Sequence, residues 1–169
     1  MEIYSDVFLA IHGGAGALTP DKYTQDEIHD YEERLQVVLD WGQTLYNQGK
    51  EAMEIVCECV RTMENWPFFN AGVGSVLCEN GKVQMDASVM CGRTRKVGGA
   101  SLIEHVQNPI LLAREILNAS PHSLLAAEGA EEFAKERGLA FKHQDYFITE
   151  LRRRQLREAK KKHLIELDH

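Results

Sequence analysis

Three short stretches carry residue types able to do chemistry. The first is His12-Gly13-Gly14-Ala15-Gly16, directly after the apolar run 7–11. A backbone that bare can adopt positive φ and let a phosphate, or a reacting carbonyl, approach the main chain. It is not a G-x-G-x-x-G turn and no P-loop lysine follows, so both nucleotide readings fail on pattern. A ligand cradle and a tight structural turn both remain open, and pattern alone favours the turn. His12 reads first as a hydrogen-bonded structural residue and only then as a base.

The second stretch is Phe68-Phe69-Asn70-Ala71-Gly72-Val73-Gly74-Ser75. Asparagine tolerates left-handed backbone, so Asn70 reads as a turn former ahead of an amide aimed into a site. The preceding helix ends near Pro67, and a helix end leaves carbonyls without partners. Such oxygens can wrap a small cation, although water is their default partner. The third stretch is Met85-Asp86-Ala87-Ser88. An unpaired buried carboxylate is very costly, so Asp86 must face solvent or find a partner, and a structural hydrogen bond is the favoured reading. Ser88 lies in no G-x-S-x-G elbow, and the H-E-x-x-H zinc motif is absent. The catalytic set is incomplete.

Periodicity supplies the elements that would position these residues. A buried strand is predicted over 7–11, and helices over 26–47, stopped by Gly49, and over about 51–64. Asn80-Gly81 between two apolar-rich runs predicts a type I′ hairpin with strands at 74–79 and 82–90. A further strand fits 98–103. Helices follow at 109–118, with Pro109 in the first turn, at 122–137, stopped by Gly138, and at 146–162. The order suggests an α+β arrangement of antiparallel strands with helices packed on them.

The 169 residues suffice for one domain with a good core. The net charge of −7 disfavours nucleic acid and anionic membrane as partners. No apolar run is long enough to cross a bilayer, and the acidic start "MEIYSD" does not read as a secretory signal. Residues 151–169 hold seven Lys/Arg against three Asp/Glu and read as a solvated basic helix. Cys57 and Cys59 make a poor metal pair on a helix, so the four cysteines read as reduced and buried, as in a cytoplasmic protein.

Together the segments "AIHGGAGAL", "PFFNAGVGSVL", "MDASVMCG", "GGASLIEHVQNPILLAR" and "SPHSLLAAEGAEEFA" resemble, in order and spacing, the isoaspartyl peptidase / plant-type L-asparaginase family, with bacterial β-aspartyl peptidases the nearest comparison. The final "LDH" resembles the end of that family's amino-terminal half. The resemblance implies an N-terminal nucleophile hydrolase with a four-layer αββα sandwich. It is made as a precursor that cuts itself before a threonine, and the new amino-terminal threonine of the β piece is the nucleophile. No Gly-Thr-Val-Gly segment occurs here. The expectation is therefore that residues 1–169 form a single-domain α subunit, completed by a β subunit of the same precursor and assembled as a dimer of αβ pairs, with no catalytic residue of its own. The substrate implied is a small β-aspartyl compound, either a dipeptide or L-asparagine. Gly13, Gly14 and Asn70 would support the nucleophile. Main-chain oxygens of Met63, Glu64, Trp66, Phe69, Ala71 and Val73 would hold a sodium ion, with no organic cofactor. The alternatives are a glycosylasparaginase-like or protein-directed member of the fold, or a non-catalytic scaffold.

Overall fold

A computed structural model describes residues 7–14 and 23–162. Helix α1 (Gln25–Asn47) starts at a capping box: Glu27 N–H donates to Thr24 Oγ1 (3.2 Å), and Thr24 N–H donates to Glu27 Oε2 (2.8 Å). It stops at Gly49, which takes φ 76° while the Lys50 N–H closes onto the Leu45 carbonyl. Helix α2 (Ala52–Glu64) packs on α1 through Ile55, Cys59 and Met63, which meet Val38 and Leu45.

Strands β1 (Met85–Met90) and β2 (Val97–Ile103) pair antiparallel, with an irregularity between Met85 and Ala87. After helix α3 (Pro109–Ala119), strand β3 (Leu124–Ala126) joins β2 in parallel. Helix α4 (Ala127–Glu136), a single 3-10 turn at Gln144–Tyr146 and helix α5 (Glu150–Lys162) complete the order. The sheet is thus mixed rather than wholly antiparallel. Its inner face carries Met85, Ala100 and Ile103, which are buried with Leu112, Ile116, Ala130, Ala134 and Phe147. Gly98 explains how closely α3 lies on β2. A Cβ there would stand 2.1 Å from the Ala113 carbonyl oxygen, so only glycine lets the helix backbone rest on the strand.

Among the described residues, nothing covers the outer face of the same sheet. Met90, Leu102 and Leu124 are 57%, 47% and 61% exposed. No helix among the described residues is long and apolar enough to cross a membrane.

Four predicted elements differ. Residues 7–14 form no strand: Phe8 is 91% exposed and no strand pairs with the segment among the described residues. An apolar run becomes a strand only where a neighbour takes its N–H and C=O groups. The 74–79 strand shrinks to one bridge, Leu77 with Val83. The turn is not type I′, because Asn80 keeps negative φ. Only Gly81 is left-handed (φ 82°), with its N–H on the Cys78 carbonyl and the Cys78 N–H on the Lys82 carbonyl. That is a three-residue loop with a glycine bulge. The first turns of the predicted 122–137 helix become β3, because the Gly99 N–H captures the Ser123 carbonyl (2.8 Å) and draws the segment onto the sheet. The last helix starts later, at Glu150, after Thr149, whose hydroxyl accepts from the Arg152 N–H (3.3 Å). All four cysteines are free, but Cys78 and Cys91 are only half-buried. Ala15, Gly16, the loop around Pro20 and the terminal "LDH" lie outside the described residues.

Candidate active site

The loop after α2 is built on aromatic packing against α1. Tyr31 meets Phe68 and Phe69 edge to face, with ring centroids 5.6 and 6.4 Å apart. The Arg34 guanidinium lies 4.7 Å from the Phe68 ring and 5.7 Å from that of Trp66. Phe69 is buried, so its ring fixes where Asn70 begins. The Asn70 side chain is exposed and bonds to Val76 N–H at 2.8 Å. A backbone N–H can only donate, so the bonded atom is the amide oxygen, and the NH₂ group is the end turned to solvent.

The glycine turn arrives at the same place from the other end of the chain. A Cβ on Gly13 would touch the Phe69 ring at 3.3 Å and the Leu35 methyls at 3.4 Å. Gly14 holds φ 117° with nothing within 4 Å of its own would-be Cβ. His12 Nδ1 accepts from the Gly14 N–H at 3.1 Å, a local structural role. Gly13 therefore sits against the ring that precedes Asn70, and Gly14 opens outward beside it.

The 63–73 loop closes on itself through main-chain oxygens. The Met63 carbonyl accepts from Trp66 N–H (3.1 Å), and the Glu64 carbonyl accepts from Val73 N–H (2.8 Å). A Cβ on Gly72, which holds φ 54°, would stand 2.1 Å from the Glu64 oxygen. One on Gly74 would meet the Pro67 and Phe69 oxygens at 3.1 and 3.2 Å. The two glycines thus let the backbone pass close to the carbonyl oxygens of Glu64, Pro67 and Phe69. Such hard oxygen donors suit an alkali or alkaline-earth cation. No cluster of three or more His, Cys, Asp or Glu able to hold a metal exists among the described residues.

Sequence reasoning missed two side chains here. Glu64 counted only for its carbonyl, yet its carboxylate is buried and Oε1 accepts from the Ile110 N–H (2.9 Å) at the start of α3. Burial pushes this carboxyl up to about 7, against the opposing pull of the Ile110 N–H and the Asn108 amide. Pro109 opening a helix whose N-cap Asn108 makes no cap bond was the available signal. Arg152 reads in sequence as one cation of a solvated run. Its Nε instead donates to the Gly74 carbonyl at 2.6 Å. Thr149 three residues earlier, a helix-capping type, was the only hint.

Asp86 has the partner that its strand position demanded. Its Oδ1 accepts from Ser101 Oγ (2.6 Å) and from the N–H of Leu102 (2.9 Å). These bonds brace Leu102, a non-glycine residue at φ 56°. Neither Asp86 nor Ser88 has the surroundings of a nucleophile or base.

Over residues 5–168 the sequence matches a protein family described as Asparaginase. It is 39% identical over 161 residues to the isoaspartyl peptidase of Escherichia coli (strain K12), covering 95% of this chain and 50% of that protein. It is 37% identical over 161 residues to a probable isoaspartyl peptidase/L-asparaginase 2 of Arabidopsis thaliana, covering 95% of this chain and 49% of that protein. With a plant-type L-asparaginase of Thermococcus kodakarensis the identity is 40% over 158 residues, covering 94% of this chain and 49% of that protein. The chain spans about half the length of these curated relatives.

Proposed function

The chain belongs to the Asparaginase family, and from that premise we propose that it is the α portion of a threonine-dependent amidohydrolase acting on β-aspartyl dipeptides and L-asparagine. The reacting hydroxyl comes from a β portion of the same precursor, freed by self-cleavage. The observation that supports this reading is the seating of Gly13 against the ring of Phe69, the residue before Asn70.

The chemistry assigned is acyl transfer. The threonine Oγ attacks the side-chain carbonyl carbon of the aspartyl group while its own α-amine takes the hydroxyl proton. That proton passes to the departing amine, leaving an ester on Oγ, which water hydrolyses to release aspartate. Gly13 and Gly14 admit the threonine without side-chain obstruction. The outward NH₂ of Asn70 donates a hydrogen bond that orders the reacting groups. Main-chain oxygens of Met63, Glu64, Trp66, Phe69, Ala71 and Val73 hold a sodium ion that stiffens the loop bearing Asn70. The uncovered outer sheet face, with Met90, Leu102 and Leu124, supports a second sheet layer from the β portion and so the four-layer αββα arrangement. A dimer of such αβ pairs in the cytoplasm completes the proposal.

The test uses the complete precursor. Intact mass should reveal two polypeptides, the second beginning with threonine. Asn70→Ala should lower turnover of a β-aspartyl dipeptide by about tenfold or more, the scale of losing one positioned donor, with the fold retained. Unchanged self-cleavage and unchanged turnover would refute the role of Asn70, and no second polypeptide would refute the assignment.

A further inference from the structure

We propose that Arg152 is a positioning residue that holds Asn70 in its working orientation; this rests on the function proposed above. The loop 70–76 has few anchors. Val73 N–H bonds back to α2 at Glu64, and Ser75 bonds within the loop through its N–H (3.2 Å) and Oγ (2.9 Å) to the Gly72 carbonyl. Among the described residues, Gly74 is the loop residue that hydrogen-bonds to a distant part of the chain, and it does so through both its polar atoms. Its N–H donates to the Phe147 carbonyl (2.8 Å), and its carbonyl accepts from Arg152 Nε (2.6 Å).

The second of these bonds fixes a peptide plane. The Gly74 carbonyl and the Ser75 N–H belong to one rigid unit. Held at that oxygen by Arg152 and at the Ser75 N–H by the Gly72 carbonyl, this plane leads directly into the Ser75–Val76 peptide, whose N–H donates to Asn70 Oδ1. With glycine at position 74 (φ 93°), loss of the Arg152 bond leaves only the long Ser75 N–H bond to the Gly72 carbonyl (3.2 Å) to hold this plane. Arg152 is itself well placed. Thr149 caps its N–H, its Nη1 donates to Gln155 Oε1 (3.0 Å), and the neighbouring Phe147 is fully buried in the main core. A charge-assisted donor on a fixed helix turn thus reaches over to orient a loop on the other side of the site.

The experiment uses the complete precursor with Arg152→Met, Arg152→Lys, Asn70→Ala and the double variants. Two readouts are taken: amide exchange of Val76, and kcat and KM on a β-aspartyl dipeptide. With Arg152→Met, the Val76 amide should exchange about tenfold faster. kcat should fall by about tenfold to a hundredfold, the cost of a misplaced group, with KM little changed. In the Asn70→Ala background the same change should bring no further loss, because Arg152 acts through Asn70. Arg152→Lys keeps charge and reach but not the planar fork, and should recover part of both losses. If Arg152→Met does not fold, Arg152→Lys carries the same comparisons. Unaltered Val76 exchange, or losses that multiply with Asn70→Ala, would overturn the proposal. Should the wild-type precursor hydrolyse no β-aspartyl bond, the proposed function falls, while the exchange measurement still decides whether Arg152 holds the loop.

Discussion

The two faces of the small sheet are built by opposite rules. On the inner face, Met85, Ala100 and Ile103 are sealed by α3 and α4, and Gly98 is stripped of a side chain so that α3 can lie flat. On the outer face, one residue along each strand, Met90 and Leu124 stand open beside Asp86 and Ser88. Leu124 and Leu125 state the contrast in two letters. Both are leucine, yet Leu125 packs on the core and Leu124 is 61% exposed. One face is packed by this chain's own helices; the other, among the described residues, leaves large apolar side chains open.

The comparison can be strained from its strongest side first. Gly98→Ala should destabilise the complete precursor by about 3 kcal/mol or more in urea denaturation, since the new methyl overlaps the α3 backbone rather than a movable side chain. A loss below about 1 kcal/mol would mean the inner face is looser than it looks. Next, Leu124→Ala and Leu125→Ala should each cost about 2 kcal/mol in the complete precursor if a second layer covers the outer face. If Leu124→Ala costs less than about 0.5 kcal/mol while Leu125→Ala costs its full amount, the outer face stays in water and the contrast stands unrelieved. The smallest effect is at Leu102, held at φ 56° by Asp86. If the outer face stays in water, Leu102→Gly removes that backbone strain and should stabilise by about 0.5 kcal/mol after the entropy cost of glycine, whereas under a second layer the lost side chain outweighs that gain. A clear loss of stability would show that its side chain is needed on the outer face.

The sequence was legible where a segment decides its own structure. The helix over about 51–64, the glycine stop at 49 and Pro109 at a helix start are local signals, and each appears as predicted, although of the expected stripe Met53, Val56, Val60 and Met63 only Met63 is buried and Val56 is exposed. It was illegible where a distant neighbour decides. Residues 7–11 have the composition of a strand but no ladder among the described residues, and 124–126 have the composition of a helix but pair with β2. The site divides the same way. The motifs around Gly13 and Asn70 stand out in sequence, whereas their meeting across the Phe69 ring depends on how Tyr31 and Leu35 of α1 seat that ring. Arg152 and the Glu64 carboxylate were hidden for a related reason: nothing local separates an arginine or glutamate that grips another segment from one that only meets water.

The bond between Asn70 and Val76 also gives the exposed amide a polarity. With its oxygen bonded to the main chain, the side chain's NH₂ is the end left to donate outward. An oxygen or nitrogen acceptor placed beside that NH₂ would find a donor, and an aspartate of the same outline would turn that invitation into repulsion.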